Sequence, residues 1–155
     1  MRFGAGWALA AIILSGCGFG SNAEFTLNAA NVQPNYVCPS STSNAPYELH
    51  ATITAHNGTS RSISIKAVSA VMTLAAVHGG WLQQVGYKYD AGTVVFGPDH
   101  VGAGASATLE VTIPSACRSK TSGTLSYADY SVELTAATSA GTFKITSSNL
   151  HRIIA

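Results

Sequence analysis

Residues 47–58 read Tyr-Glu-Leu-His-Ala-Thr-Ile-Thr-Ala-His-Asn-Gly. From Tyr47 to Ala55 every second residue is non-polar in character, and the residues between them are polar. Because successive side chains of a strand point to opposite faces of its sheet, this period of two predicts a β-strand with one buried face and one solvent-exposed face. Asn57-Gly58 follows directly, and this pair favours a two-residue hairpin turn. The stretch therefore indicates an antiparallel β-protein.

The same alternation recurs along the rest of the chain. The further sets that we expect to face inward are Ile63 and Ile65; Val68, Ala70, Met72 and Leu74; Leu109, Val111 and Ile113; Tyr130, Val132, Leu134 and Ala136; and Phe143 and Ile145. A phase shift near Lys66-Ala67 predicts a β-bulge, and a helix over 67–77 is the alternative for that segment. We also expect a strand over 81–89 and a turn at 139–141. Short strands separated by turns indicate an antiparallel sandwich or barrel.

The chain is poor in charged residues. They make up 10% of its 155 residues, against about 25% in typical soluble domains, and the net charge is +1. Since no run of basic residues is present, we expect no nucleic-acid partner. Ser and Thr fill the polar positions, as is typical of turns and strands. The composition favours an extracytoplasmic β-protein.

The N-terminal segment has the parts of a signal peptide. Arg2 is followed by an uncharged apolar run over 7–14 and by the small residues Ser15-Gly16. This run is too short to span a bilayer as a helix, which takes about 20 residues. Leu14-Ser15-Gly16-Cys17 resembles the lipobox of bacterial lipoproteins.

The lipobox resemblance implies a membrane anchor. Residues 1–16 would be removed as a signal peptide, and Cys17 would carry a diacylglyceryl group on sulfur and a fatty acyl chain such as palmitate on its amine. The protein is then expected in the cell envelope. Gly18 stands where inner-membrane lipoproteins often have Asp, which favours the outer membrane or cell surface. The alternatives are an ordinary secretory signal cut nearby and an uncleaved hydrophobic N-terminus.

Two cysteines remain once Cys17 is assigned to lipid. An even pair outside the cytoplasm predicts a disulfide between Cys38 and Cys117, and two separate buried thiols are the alternative. The polar stretches between 17 and 46 are expected to be the lipidated N-terminus and a flexible tether, with a brief alternation over 24–27 as a possible edge strand. The β-sandwich domain is then expected to span 47–155.

The β-rich part of the chain resembles immunoglobulin-like sandwich domains of bacterial surface proteins. The features that carry the resemblance are the turn at Asn57-Gly58, the segment 103–111 (Ala-Gly-Ala-Ser-Ala-Thr-Leu-Glu-Val) and the last hairpin over 128–146. The resemblance covers about residues 47–148. It implies an antiparallel immunoglobulin-like β-sandwich that acts as an interaction or structural module.

The sequence contains no familiar catalytic motif. Gly-x-Ser-x-Gly, His-Glu-x-x-His and a phosphate-binding loop are all missing from it. His78 and His100 lie in Gly-rich surroundings and could converge on a metal with Asp99, but solvated loop histidines are the simpler interpretation. We therefore expect a protein that is not an enzyme and that holds no metal or cofactor, with a hydrolase as a remote alternative.

Three aromatic residues are candidates for ligand binding. Trp81, Tyr87 and Tyr89 could form a platform for a sugar, but the simpler interpretation is that Trp81 is a core residue and the tyrosines lie between core and surface. The leading hypothesis is a lipid-anchored, non-enzymatic envelope protein whose sandwich is an interaction or structural module. The alternative is a surface module that binds glycans or another ligand. The expected partners are the membrane, through the lipid on Cys17, and an envelope protein or glycan.

Overall fold

A computed structural model describes residues 24–40, 42–118 and 125–155, and these residues form ten β-strands and no helix. The strands are β1 Phe25–Val32, β2 Asn35–Val37, β3 Ala45–Asn57, β4 Ile63–His78, β5 Lys88–Gly97, β6 His100–Val101, β7 Ser106–Cys117, β8 Tyr127–Thr138, β9 Gly141–Thr146 and β10 His151–Ile154. The expected all-β class is confirmed. Within the described part of the chain, no helix has the length and apolar character needed to cross a membrane.

The first sheet is built around β3. β1 and β7 pair antiparallel with its two edges, and the β3–β7 register runs from Ala45↔Cys117 to His56↔Ser106. Buried and exposed residues alternate along β3 as the period of two predicts, with Leu49 and Ile53 on the inner face.

The second sheet is built around β4 and β8. β4 lies between β5 and β8, while β9 and β10 both pair with the far edge of β8. β2 adds to β10 in parallel, and it is the one parallel pair among the described strands. Residues 88–94 of β5 pair with β4, but residues 95–97 pair with β7, so β5 passes from the second sheet to the first. The result is an immunoglobulin-like β-sandwich.

A single apolar core fills the space between the two sheets. Its largest fully buried side chains, apart from His151, are Leu49, Ile53, Met72, Leu74, Leu109, Ile113, Leu134, Val68, Val101, Val111 and Val132. All but Val101 belong to the inward-facing sets predicted from the sequence. Each such side chain contributes roughly 1.5–3 kcal/mol by leaving water.

The turn expected at Asn57-Gly58 is not a hairpin. β3 and β4 lie in different sheets, because both edges of β3 are already occupied by β1 and β7. The Asn57 side chain is fully buried, and its Nδ2 donates to the carbonyls of Arg61, Val101 and Gly102 at 2.7, 3.0 and 3.0 Å. Asn57 therefore fixes a crossover between sheets.

The domain begins earlier than the expected boundary at residue 47. β1 and β2 fall within the segment 17–46 that the sequence analysis assigned to the tether, and β3 already starts at Ala45. The physical reason is that β1 buries Phe25, Ala30 and Val32 against the core. The signal peptide, Cys17 and the tether up to residue 23 lie outside the described residues.

Some of the other predicted strands and turns are present in the structure, and others are not. The segment 67–77 is strand and not helix, and the β4–β8 register shifts between Ile65 and Ala67, which confirms the bulge. The turn near 139–141 is confirmed, since Thr138 pairs with Gly141. The strand expected over 81–89 is wrong up to residue 87, because β5 begins only at Lys88. β10 was not predicted.

Candidate ligand-binding cleft

A cleft of about 560 Å³ opens at the end of the sandwich where Ala45 pairs with Cys117. Its walls are Ser43, Asn44, Gly80, Trp81, Leu82, Gln83, Ala116, Cys117, Arg118, Ser126, Tyr130, Ile153 and Ala155. These residues come from both sheets, from the loop between β4 and β5, and from residues that flank β3, β7, β8 and β10. The volume is within the range of about 300–1,000 Å³ that is typical of ligand pockets.

The predicted disulfide forms part of the cleft wall. Cys38 and Cys117 are bonded, with their Cα atoms 5.9 Å apart, across 79 residues of sequence. Cys38 follows β2 of the second sheet and Cys117 ends β7 of the first sheet. The bond therefore joins the two sheets at the end that carries the cleft.

Trp81 and Tyr130 form the aromatic side of the cleft. The indole Nε1 of Trp81 donates to the Tyr130 hydroxyl at 3.3 Å, and Trp81 is half-buried against the core. Burial raises the pKa of Tyr130, so its phenol stays protonated at neutral pH. The pair offers a planar apolar surface and a neutral hydroxyl, which suits binding more than proton transfer.

The two tyrosines that were predicted beside Trp81 do not line the cleft, although Tyr87 lies near Tyr130. Tyr87 and Tyr89 are 47% and 37% exposed, and neither is among the residues that line the cleft. The Tyr89 hydroxyl donates to the Pro114 carbonyl at 3.0 Å. Tyr130 is the residue that sequence reasoning missed, since its period-two pattern marks it as core and gives no sign that it meets Trp81.

Arg118 is the one residue with a charged side chain among the described residues that line the cleft. Its Nε donates to the Ser43 carbonyl at 2.9 Å. The ion pairs of the described residues join His100 to Asp99, Lys144 to Glu133 and Arg152 to Asp129. Within that part of the chain, Arg118 forms no ion pair with an Asp or Glu side chain.

A polar row crosses the core close to the cleft. The Tyr47 hydroxyl lies 2.9 Å from Nε2 of His151, and Nδ1 of His151 lies 2.7 Å from the Gln33 carbonyl. Because a carbonyl can only accept, Nδ1 donates to Gln33 and the neutral ring accepts from Tyr47 at Nε2. Burial raises the pKa of Tyr47 to about 12, a hydrogen bond from Ser115 partly opposing it. Burial also lowers the pKa of His151. Both groups are therefore neutral at pH 7.

The histidines considered as metal ligands do not converge. His100 pairs with Ser64 near the start of β4, whereas His78 is the last residue of that strand and stacks on Tyr127. His100 hydrogen-bonds to Asp99, and this contact lowers the pKa of the Asp99 carboxyl. Across residues 24–40, 42–118 and 125–155, no group of three or more His, Cys, Asp or Glu side chains is arranged to hold a metal.

The cleft and the start of β1 lie at opposite poles of the sandwich. Phe25 pairs with Asn57 at one end of β3, while Ala45 pairs with Cys117 at the other end. β3 has 13 residues. At about 3.3 Å per residue the two poles are roughly 40 Å apart. A chain that enters through residue 24 therefore enters the domain far from the cleft.

No protein-family model and no curated protein matches the chain. Among solved structures, it is similar to AggA, the major subunit of aggregative adherence fimbriae type I from Escherichia coli. The two sequences are 11% identical, and the similarity covers 84% of this chain and 94% of that chain with a TM-score of 0.32. It is also similar to a PapD-like domain of human CEP192, with 6% identity, 83% and 84% covered, and a TM-score of 0.26. A likeness of this strength concerns the fold alone.

Proposed function

We propose that this protein is a lipid-anchored interaction module of the bacterial cell envelope. Cys17 carries the lipid, residues 17–24 connect it to β1, and the sandwich presents the cleft to a partner. The chain from residue 17 to 24 reaches at most about 28 Å when fully extended, so the domain stays close to the membrane.

The observation that carries the proposal is the placement of the cleft at the pole opposite to residue 24. A domain held through its N-terminus presents the far pole away from the membrane, where a partner can reach it. The Cys38–Cys117 disulfide supports the same compartment, because such bonds persist in oxidising surroundings outside the cytoplasm.

The chemistry of the cleft supports binding over catalysis. Its aromatic pair is neutral at pH 7, and its charged residue is a guanidinium, which does not lose its proton in proteins. Such groups orient and hold a ligand through stacking and hydrogen bonds.

The anchor is tested by metabolic labelling with an alkyne analogue of palmitate in a bacterial host. We expect label on the wild-type chain and none on Cys17→Ala. Cys38→Ala is the matched control, since it removes a different cysteine and should keep its label. Label that persists on Cys17→Ala, or a wild-type chain without label, would overturn the proposed anchor.

A further inference from the structure

We infer that the cleft between Trp81 and Arg118 binds an acidic oligosaccharide, with a sugar ring against the Trp81 indole and a carboxylate of that sugar on the Arg118 guanidinium. This assignment rests on the proposed role as an interaction module and names the class of its ligand. Of the three aromatic residues predicted to bind a sugar, this site uses Trp81.

The cationic side chain of the cleft favours an anionic group on the ligand. Arg118 has the one charged side chain among the described lining residues, and none of the ion pairs of the described chain gives it an Asp or Glu partner. Its Nε donates a hydrogen bond to the Ser43 carbonyl. This bond orients the guanidinium and leaves its two terminal nitrogens to donate to a ligand. A planar guanidinium binds carboxylates through two parallel hydrogen bonds.

The other walls suit a sugar. The Trp81 indole offers a planar apolar surface, and its polar edge is already satisfied by Tyr130. Asn44 and Gln83 also line the cleft, and their amide side chains carry the donors and acceptors that hydroxyl groups of a sugar require. The cleft thus combines the flat apolar surface of an indole, two amide residues and one guanidinium.

An extended peptide fits the cleft less well. A peptide that adds to a sheet needs several unpaired backbone groups along a strand edge. On β7 the edge away from β3 is used by β5 at residues 111–112 and at Glu110. Pro114 has no N–H, and its carbonyl accepts from Tyr89. Because backbone groups of alternate residues point to the same edge of a strand, Ala116 is the next residue whose N–H and C=O lie on this edge of β7. Few backbone groups of β7 are therefore left for a peptide to pair with.

Tryptophan fluorescence provides a direct probe of the site. The chain has two tryptophans, Trp7 and Trp81, and Trp7 lies in the segment that the proposed function removes. Protein produced from a chain carrying Trp7→Phe therefore reports on Trp81 alone, whether or not residues 1–16 are cleaved. Trigalacturonic acid is titrated into this protein, with the fully N-acetylated form of chitotriose as the neutral sugar and triglutamate as the acidic peptide. We expect a saturable change with trigalacturonic acid and a much weaker response to the other two probes.

Arg118→Gln in the same background tests the ionic contact. We expect its Kd for trigalacturonic acid to rise about tenfold, because a charge-assisted hydrogen-bond pair is lost. Arg61→Gln is the matched control, since Arg61 is exposed and lies near the opposite pole, and its Kd should not change. If Arg118→Gln does not fold, the wild-type Kd should still rise when NaCl is raised from about 20 mM to about 0.5 M.

The outcomes separate this inference from the proposed function. Absence of saturable binding to trigalacturonic acid, equal binding of chitotriose, or preferred binding of triglutamate would overturn the acidic-sugar assignment. None of these results affects labelling at Cys17, so the anchor is judged independently. Loss of palmitate labelling together with intact sugar binding would overturn the anchor and leave this site standing.

Discussion

The Tyr47 hydroxyl lies 2.9 Å from Nε2 of His151, and this contact joins the first sheet to the second inside the core. Tyr47 belongs to β3 and His151 begins β10, 104 residues later in the chain. The imidazole is fully buried, so its Nε2 has no access to water. Tyr47→Phe removes the donor and leaves this acceptor unpaired. We expect the free energy of unfolding, measured by urea denaturation, to fall by about 1–3 kcal/mol.

Tyr87→Phe is the matched control for that substitution. The Tyr87 side chain is 47% exposed, and a hydroxyl removed from such a surface position should change stability by less than about 0.5 kcal/mol. Equal losses in Tyr47→Phe and Tyr87→Phe would contradict a role for the Tyr47–His151 contact in holding the sheets together.

The same histidine predicts how stability depends on pH. Burial holds the pKa of folded His151 below 6.5, whereas the unfolded chain titrates near that value. Between these two pKa values the unfolded chain binds a proton that the folded chain does not, so stability falls as pH is lowered. We expect a lower urea midpoint at about pH 5.5 than at about pH 8.

Two variants assign this pH dependence. His151→Gln should lose most of it, since the amide has no proton to gain in this range. His50→Gln should keep it, because His50 lies on the exposed face of β3. A slope that is unchanged in His151→Gln would show that another group is responsible.

The disulfide predicts a large effect of reductant. Cys38 and Cys117 close a loop across 79 residues, and restricting the unfolded chain to this extent contributes about 4 kcal/mol. Dithiothreitol should lower the urea midpoint of the wild-type protein strongly. The double variant Cys38→Ala with Cys117→Ala should start low and show no response to dithiothreitol. A similar response in both proteins would contradict the contribution assigned to this bond.

Asn57 predicts a sharp difference between two chemically identical substitutions. Its Nδ2 donates to three backbone carbonyls, and the side chain is fully buried. In Asn57→Asp a carboxylate oxygen, which can only accept, would face these three carbonyl oxygens. We expect a loss of more than about 3 kcal/mol in urea denaturation. Asn35→Asp is the control, since Asn35 is exposed, and it should be nearly neutral. A mild effect at Asn57 would mean that the crossover loop is held by other contacts.

Local periodicity was enough to predict the strands that form the core. β3, β7 and β8 alternate with a period of two, and the residues assigned to the inner face, from Leu49 to Leu134, are buried. Such a pattern depends only on which face a side chain points to, so neighbouring residues suffice to reveal it.

Pairing partners were harder to predict because they depend on residues far apart in the chain. Asn57-Gly58 has the local chemistry of a hairpin, but the edges of β3 are taken by β1 and β7, and the chain must cross to the other sheet. The Trp81–Tyr130 contact spans 49 residues, and no spacing rule connects the two. β10 is only four residues long, and its place depends on β8 and β2.

The central claim is that a lipid on Cys17 holds this sandwich in the cell envelope. The most direct test is the mass of the N-terminal peptide of the protein extracted from bacterial membranes. We expect a chain that begins at Cys17 and carries the mass of the diacylglyceryl and acyl groups. A chain that begins at another residue, or a Cys17 with a free thiol and no added mass, would contradict it.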